Sequence, residues 1–348
     1  MRKIKVAQIG MSRYSHGLEV FKTLQKLDDL YEIVGYVLPE GEREKFPENM
    51  HVFDGYREMT VTEILDDPEI DAVLVETEEI YLTKYARMVA KAGKHLHMEK
   101  PGGQNLAAFE ALIDQMRSSG AVFHVGYMYR YNPIIREAID KAQRGELGEI
   151  LAVEAQMNCC HPDVARAWMT TFRGGMMFFL GCHMIDLVLQ VQGLPKRVHP
   201  FIKRTGKNGV ESEDFGMAVL EYERGVSFAK TTDTEMAGFV RRQLVISGTK
   251  GTIEIRPLEL PIPQRQYAMY ARSKCSDTDS PSLDFVQTEE FDRYVTMMEA
   301  FAAMVRGEIQ NPISLDYELA LYRTVLQACG ILTDVCETEE SYESNIGK

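Results

Sequence analysis

Positive charge is in short supply in this sequence. Against 52 Asp and Glu stand 39 Lys and Arg, a formal charge of −13 over 348 residues. A polyanion partner needs basic surface, so nucleic acid is excluded, and the acidic balance reads as a solubility feature. Long apolar runs are missing too. No segment holds 18 uninterrupted apolar residues, so no membrane-spanning helix is expected. Cysteine is sparse and scattered, at 159, 160, 182, 275, 329 and 336, with no CxxC pair. A chain of this length needs no disulfide staples, so reduced thiols in a cytoplasmic protein are expected. The sequence enters an apolar run, Ile4-Lys-Val-Ala-Gln-Ile9, almost at once, and no signal peptide is expected. Repeats and low-complexity linkers are absent. What is there is ordinary globular material, 45% hydrophobic and 26% charged, long enough for two domains.

The first domain is expected over residues 1–125, as strands alternating with helices. The strands are Lys3–Ile9, Tyr31–Leu38, Ala72–Glu76, His95–Met98 and Ala121–Val125. Helical spacing or composition marks Ser15–Leu27, Thr60–Leu65, Leu82–Ala92 and Asn105–Ser119. This alternation predicts a parallel sheet with right-handed crossovers, the α/β Rossmann class. A second, α+β domain is expected over residues 126–348. It opens with a helix, Asn132–Arg144, capped by Asn132 with Pro133 following. A strand at Gly148–Asn158 and a helix at Gly174–Gln192 come next. Five or so strands joined by tight turns then fill Arg197–Ser273, which predicts a mostly antiparallel open sheet. Helices at Glu289–Arg306 and Leu315–Cys336 close the chain.

Two places carry chemistry. The first strand-to-helix turn reads Gly10-Met-Ser-Arg-Tyr-Ser15-His-Gly17, a defective G-x-G-x-x-G with Ser12 and Ser15 in place of glycines. Gly10 permits the tight turn, and the helix start offers free N–H groups to a phosphate. At the end of the second strand, where a carboxylate normally binds the adenosine ribose, stand Val37-Leu38-Pro39. Glu40 or Glu42 could reach over from the loop, and Arg43 could hold a 2′-phosphate. The cofactor is therefore read as NAD, with NADP open. The second place is Glu99-Lys100-Pro101. A Lys at the carboxyl end of a strand in an open α/β sheet points into the ligand crevice. There it can share a proton with a substrate hydroxyl if the site lowers its pKa toward neutrality.

In order and spacing the motifs resemble the glucose–fructose oxidoreductase, inositol dehydrogenase and MocA-like (Gfo/Idh/MocA) family. The pieces are Gly10–Gly17, Asp71-Ala-Val-Leu-Val75 with Thr77, and Ala92-Gly-Lys-His95 leading to Glu99-Lys-Pro101. They continue with Val125-Gly-Tyr-Met-Tyr-Arg-Tyr-Asn-Pro133, Gly148-Glu-Ile150, Gly174-Gly175 through Gly181-Cys-His-Met-Ile-Asp186, and Ser247-Gly-Thr-Lys-Gly251. The resemblance runs from about residue 3 to about 335. It implies a nicotinamide-dependent oxidoreductase of sugars, polyols or related carbonyl compounds, associating through its second sheet as a dimer or tetramer. It implies that Lys100 binds the reacting hydroxyl and that His183 transfers the proton or ligates the hydroxyl. The usual first Asp of the His183 segment is replaced by Phe179, one helical turn earlier, and loss of that carboxylate should lower the His183 pKa. Glu78-Glu79 replace a common Pro-Asn and add negative charge, while Ile80 and Leu82 stand where His residues often appear.

The candidate set follows. Lys100 and His183 are the catalytic pair. Gly10, Ser12, Arg13, Tyr14, Leu38, Thr77, Glu99 and Lys100 are the cofactor residues. Tyr129, Arg130, His161, Trp168 and Asp186 are the substrate residues. Tyr127, Tyr129, Arg130, Tyr131 and Asn132 form a polar-aromatic run suited to sugar faces, although core packing competes for the tyrosines. His161, Arg166, Trp168 and Arg173 are placed on a loop over the crevice. Cys159-Cys160-His161 with His183 is a weak metal pattern, because adjacent cysteines chelate one ion poorly; no metal is expected. The expected activity is hydride transfer at a secondary alcohol of a sugar, glycoside or cyclitol. Redox-initiated glycoside elimination and a non-catalytic dinucleotide or sugar sensor are the alternatives.

Overall fold

The computed structural model describes residues 2–262, 265–267, 269–274, 282–287 and 291–332. Short apolar runs form the first sheet. β1 (Ile4–Ile9), β2 (Tyr31–Val37), β3 (Ala72–Val75), β4 (His95–Met98) and β5 (Phe123–Val125) are all parallel, in the order β2-β1-β3-β4-β5. Every residue of β3 is buried, as suits a strand covered by helices on both faces. The helices are α1 (Gly17–Lys26), a short α2 (Glu42–Lys45), α3 (Val61–Asp66), α4 (Leu82–Lys91) and α5 (Leu106–Ser119). Local sequence sets their ends. Thr60 and Glu63 form a reciprocal capping box on α3, and Asn105 caps α5, which stops at Gly120 with φ +67°. The strand order reverses between β1 and β3, so the ligand crevice lies outside their carboxyl ends.

Beyond β5 the chain forms α6 (Pro133–Gln143), β6 (Ile150–Asn158), α7 (Asp163–Trp168) and α8 (Cys182–Gln192). It continues with β7 (Arg197–Lys203), β8 (Phe215–Glu221), β9 (Val226–Thr232), β10 (Gln243–Gly248) and β11 (Gly251–Ile255). β12 (Leu260–Ile262), β13 (Arg265–Tyr267), β14 (Met269–Lys274) and β15 (Ser282–Gln287) follow. α9 (Arg293–Val305) and α10 (Leu315–Ala328) end the described chain. Eight strands form one sheet, β15-β14-β11-β10-β6-β9-β8-β7, antiparallel except for the parallel pair β6–β9. β12 and β13 make a separate small ribbon, more strands than the turn signals predicted. The expected helix ends at 289 and 336 fall among residues outside the described set, as do Cys275 and Cys336.

α8 is apolar almost all round, and Cys182 through Gln190 are buried, which fits a helix packed between the sheet and its neighbours. The helix expected over Gly174–Gln192 forms and runs unbroken from residue 175 to 192. A wide, π-type turn at Met177–Gly181 precedes α8. Such widening is common where a helix meets a functional site.

Candidate active site

Lys100 lies two residues past the end of β4 and is fully buried. Its Nζ donates to the Phe179 carbonyl oxygen at 2.8 Å, lies 3.3 Å from Glu99 Oε1, and sits 4.5 Å from the Phe179 ring centre. Glu99 is also 3.2 Å from His16 Nδ1. Burial opposes the Lys100 charge, but Glu99, Cys182 and Glu79 together outweigh it and raise its pKa above the usual value. Burial likewise opposes charge on Glu99, yet His16 and Lys100 hold that carboxyl down at about 2. The site thus contains an ammonium–carboxylate pair. This corrects the expectation that the site lowers Lys100 toward neutrality.

His183, at the start of α8, is also buried, and neither ring nitrogen has a hydrogen-bond partner. The rings of Tyr127 and Tyr129 meet it edge-on at 5.6 and 5.4 Å, and His16 lies 6.1 Å away. Its pKa is pushed well below the ordinary value, first by burial and then by Lys100 and the neighbouring His16, Arg293 and Arg242. The direction matches the sequence reading, whereas the cause is desolvation and not the loss of an Asp at position 179. A buried imidazole with two open nitrogens is an unsatisfied polar group waiting for a ligand atom. Phe179, whose carbonyl holds Lys100, is only four positions from His183, so the two candidate groups converge across the domain boundary.

The nucleotide turn, Gly10–Gly17, borders this site through His16. Gly10 has φ +88°, and an added Cβ would collide with Thr77, so backbone angle and space both demand glycine. The Ser12 N–H donates to Glu76 O at 3.1 Å, and its hydroxyl accepts from the Tyr14 N–H at 3.4 Å. At the start of α1 the Gly17 N–H donates to Ser15 Oγ at 3.2 Å, while the N-cap residue His16 makes no side-chain cap. Of the two acids that the sequence offers after the second strand, Glu42 turns inward. It is buried, and its Oε2 accepts from the Met11 N–H at 2.9 Å. Burial pushes its pKa up to about 8, so at neutral pH it adds no charge beside a pyrophosphate. These residues fit a dinucleotide. Glu40 is taken by Lys84 at 2.5 Å and by the Tyr85 hydroxyl, while Arg43 is bound to Glu58 at 2.7 Å. Arg13 pairs with Glu48 at 2.6 Å. Leu38 packs on the aromatic cluster of Phe21, Tyr36 and Phe53 beneath the turn.

Of the substrate candidates, Trp168 lies over the crevice as expected. Its ring lies tilted at 4.5 Å from Tyr14 and edge-on at 5.2 Å from Phe179, and its Nε1 donates to Glu78 at 3.4 Å. Glu78 is in turn paired with Lys45, and Glu79 is buried and pushed up to about 8 by desolvation, so neither adds free negative charge at neutral pH. Three other placements differ from the sequence reading. Arg130 spends its donors on Asp186, at 3.0 and 2.8 Å, and on Glu318, at 2.5 Å, so Arg130 and Asp186 bind each other and neither faces the crevice. Tyr129 presents its ring to His183, but its hydroxyl donates to Glu259 at 2.9 Å. His161 sits against Asp233 and Cys159. Arg166 is buried against Asp163 and Asp214, and Arg173 reaches Gly330 O, so of the four covering residues only Trp168 contacts the crevice walls.

Sequence reasoning missed the buried polar groups behind Lys100. Glu76 Oε1 is 3.3 Å from His97 Nε2, His97 Nδ1 is 2.6 Å from His124 Nδ1, and His124 Nε2 is 2.7 Å from the Tyr131 hydroxyl. Position could have located three of them, since His97 and His124 stand inside β4 and β5 and Glu76 directly follows β3, in a sheet covered on both faces. Among the described residues, no helix is long and apolar enough to cross a membrane.

Comparison with known proteins fits this geometry. Residues 4–127 match the family described as "Oxidoreductase family, NAD-binding Rossmann fold", and residues 135–254 match the "GFO/IDH/MocA C-terminal domain". The chain is 25% identical to an uncharacterised oxidoreductase of Rhizobium meliloti, over 76% of this chain and 78% of that one. It is equally 25% identical to scyllo-inositol 2-dehydrogenase (NAD+) of Bacillus subtilis, over 74% of each. Among solved structures, levoglucosan dehydrogenase in complex with NADH and levoglucosan superposes with a TM-score of 0.74 at 19% identity, covering 94% of this chain and 98% of that one. The chain belongs to the Gfo/Idh/MocA family of oxidoreductases, and its first domain is the NAD-binding Rossmann fold of that family.

Proposed function

We propose that this protein is an NAD-dependent dehydrogenase that oxidises a secondary alcohol of a sugar, polyol, glycoside or cyclitol, or reduces the matching ketone. The observation that carries this reading is the buried His183 imidazole, open at both nitrogens, beside the buried ammonium of Lys100. With its pyrophosphate at the Gly10 turn, a bound dinucleotide would supply the nicotinamide as hydride acceptor for alcohol oxidation. Lys100 Nζ exchanges the Phe179 carbonyl for the substrate oxygen and stabilises its developing negative charge. The neutral imidazole of His183 accepts the hydroxyl proton, and Lys100, remaining an ammonium, favours the alkoxide form that makes this transfer feasible. Phe179 and Trp168 form an apolar wall and cover that exclude water. In this closed arrangement Trp168 rests on Tyr14, so the covering segment lifts for ligands to reach Lys100.

Substrate class is argued from chemistry and relatives together. Buried Tyr127 and Tyr129 edges around His183 suit the C–H faces of a ring alcohol. Relatives include an inositol dehydrogenase, and a structural neighbour is solved with an anhydrosugar. Preference for NAD over NADP rests on Arg43, which is held by Glu58 and not presented to a 2′-phosphate. The second sheet leaves one face open. There Phe201, half exposed, pairs across strands with Met217, and His199 with Val219; this face supports self-association.

The test is nicotinamide absorbance with a panel of inositols, sugars and glycosides against both cofactors, followed by Lys100→Met on the best substrate. Turnover should fall by roughly two to four orders of magnitude. A loss below about threefold contradicts the assignment.

A further inference from the structure

Cys159, His161 and Asp233 take no part in the alcohol site, yet they form a compact donor cluster. The parallel pairing of β6 with β9 creates it. Asn158 and Thr232 are in register, so the next residues of both strands emerge side by side. Cys159 Sγ is 3.3 Å from Asp233 Oδ1 and 3.5 Å from His161 Nδ1. The ring nitrogen is 2.8 Å from the same carboxylate oxygen. Cys159 and Asp233 are buried, whereas the His161 side chain is 35% exposed. Asp233 Oδ2 is buried and has no hydrogen-bond partner.

Those separations match one chemistry. A tetrahedral zinc ion with bonds of about 2.3 Å to sulfur and 2.0–2.1 Å to nitrogen or oxygen spaces its donor atoms roughly 3.3–3.6 Å apart. The two separations that involve sulfur already have this length. The shorter one is a ring-to-carboxylate hydrogen bond that an ion would replace. The backbone holds the donors in place. The His161 N–H donates to Asp233 Oδ1 at 2.7 Å, Cys159 N–H to Thr232 O at 2.9 Å, and Glu235 N–H to Cys159 O at 3.1 Å. Gly238 packs so closely on Asn158 and Cys159 that a Cβ would approach the Cys159 nitrogen to 2.8 Å. Two cations border the cluster. Arg242 Nη1 is on Glu259 at 3.1 Å, and the same side chain lies against Cys159, where its charge favours the thiolate; Lys207 Nζ is 3.2 Å from Cys160.

We propose that Cys159, His161 and Asp233 bind a divalent ion of borderline softness, Zn²⁺ before others, with solvent as the fourth ligand on the exposed His161 side. One thiolate, one imidazole and one carboxylate select zinc over the hard ions Mg²⁺ and Ca²⁺, which take oxygen ligands. Binding exchanges the Cys159 thiol proton for the ion, and that proton goes to solvent. Burial and the Asp233 charge raise the thiol pKa, so affinity climbs with pH. The ion ties the end of β6 to the end of β9 directly before α7, the helix that ends in Trp168. This site is independent of the dehydrogenase reading.

The sequence alone hid the site because Asp233 lies 72 residues beyond His161. It also offered His183, which is not in the cluster. The test uses the full-length protein, stripped with a chelator and titrated with Co²⁺ as a spectroscopic probe. One Co²⁺ per chain should bind with strong tetrahedral visible bands and a thiolate-to-metal charge-transfer band, and Zn²⁺ should displace it. Cys159→Ser should abolish the charge-transfer band. His161→Gln, at a partly exposed ring that folding does not need, should weaken affinity at least about tenfold. Cys160→Ser should change neither. A wild-type spectrum with only weak octahedral bands, a charge-transfer band that survives in Cys159→Ser, or unaltered affinity in His161→Gln overturns the proposal.

Discussion

Burial acts against charge on both Lys100 and His183, yet one stays charged and the other neutral. Partners make the difference. Lys100 has the Glu99 carboxylate at 3.3 Å, whereas His183 has no acceptor and several cations nearby. Glu42 shows the same physics with a measurable outcome. Its carboxyl is pushed by burial from 4.5 to about 8. Between those values the folded chain holds a proton that the unfolded chain has lost, so stability falls as pH rises through that window. Glu42→Gln mimics the neutral acid and still offers an oxygen to the Met11 N–H. Thermal unfolding should show the variant and the wild type coinciding near pH 4.5, with the variant more stable by on the order of 4 kcal/mol at pH 8. Parallel profiles would contradict the buried-acid account. At this scale the sequence was partly legible. Lys100 and Gly10 follow from position in a βα unit, but Glu42 could be read only as one of several acids that might fill a vacancy, because the loop after β2 has no periodicity to orient it.

Elements reveal what single residues conceal. The segment after β6 was predicted to cover the crevice, and α7 does so through Trp168 alone. His161 and Arg166, close in sequence, turn instead to Asp233 and Asp214 on other strands. Composition located the segment and could not say which side chains faced inward. The same limit applies to Met177–Gly181, where apolar spacing located the helix and did not show its π-type widening. Tertiary demand decides there, since a Phe179 carbonyl must meet Lys100. Trp168 is the only tryptophan of the chain, so it reports on its own movement. Adding NADH should quench its fluorescence saturably. Trp168→Ala should weaken nucleotide or substrate binding about tenfold or less while leaving the turnover of the bound state within a few-fold. A fluorescence signal indifferent to nucleotide would place the cover elsewhere.

Across the whole molecule the two sheets are locked together by the C-terminal helices. Tyr31 of β2 donates to Met298 O of α9 at 2.6 Å, and Tyr322 of α10 donates to Gly103 O. Arg130, just past β5, clamps Asp186 of α8 and Glu318 of α10 in a buried network. The sequence places these helices after the second sheet and says nothing of their return to the first, because such contacts span nearly the whole chain. Arg130→Met leaves two buried carboxylates unpaired and should destabilise the fold by about 3–5 kcal/mol, read by denaturant unfolding, with the KM of the folded fraction unchanged. A stable variant with a much raised KM would return Arg130 to the substrate site. The convergence of the two domains on one alcohol oxygen is tested most directly by a crystal structure with NAD and a substrate or unreactive analogue. The account predicts a hydroxyl oxygen within about 2.6–3.2 Å of both Lys100 Nζ and a His183 ring nitrogen, with the Lys100–Phe179 hydrogen bond given up. A ligand bound elsewhere, with Lys100 still on the Phe179 carbonyl and His183 still unpartnered, would contradict it.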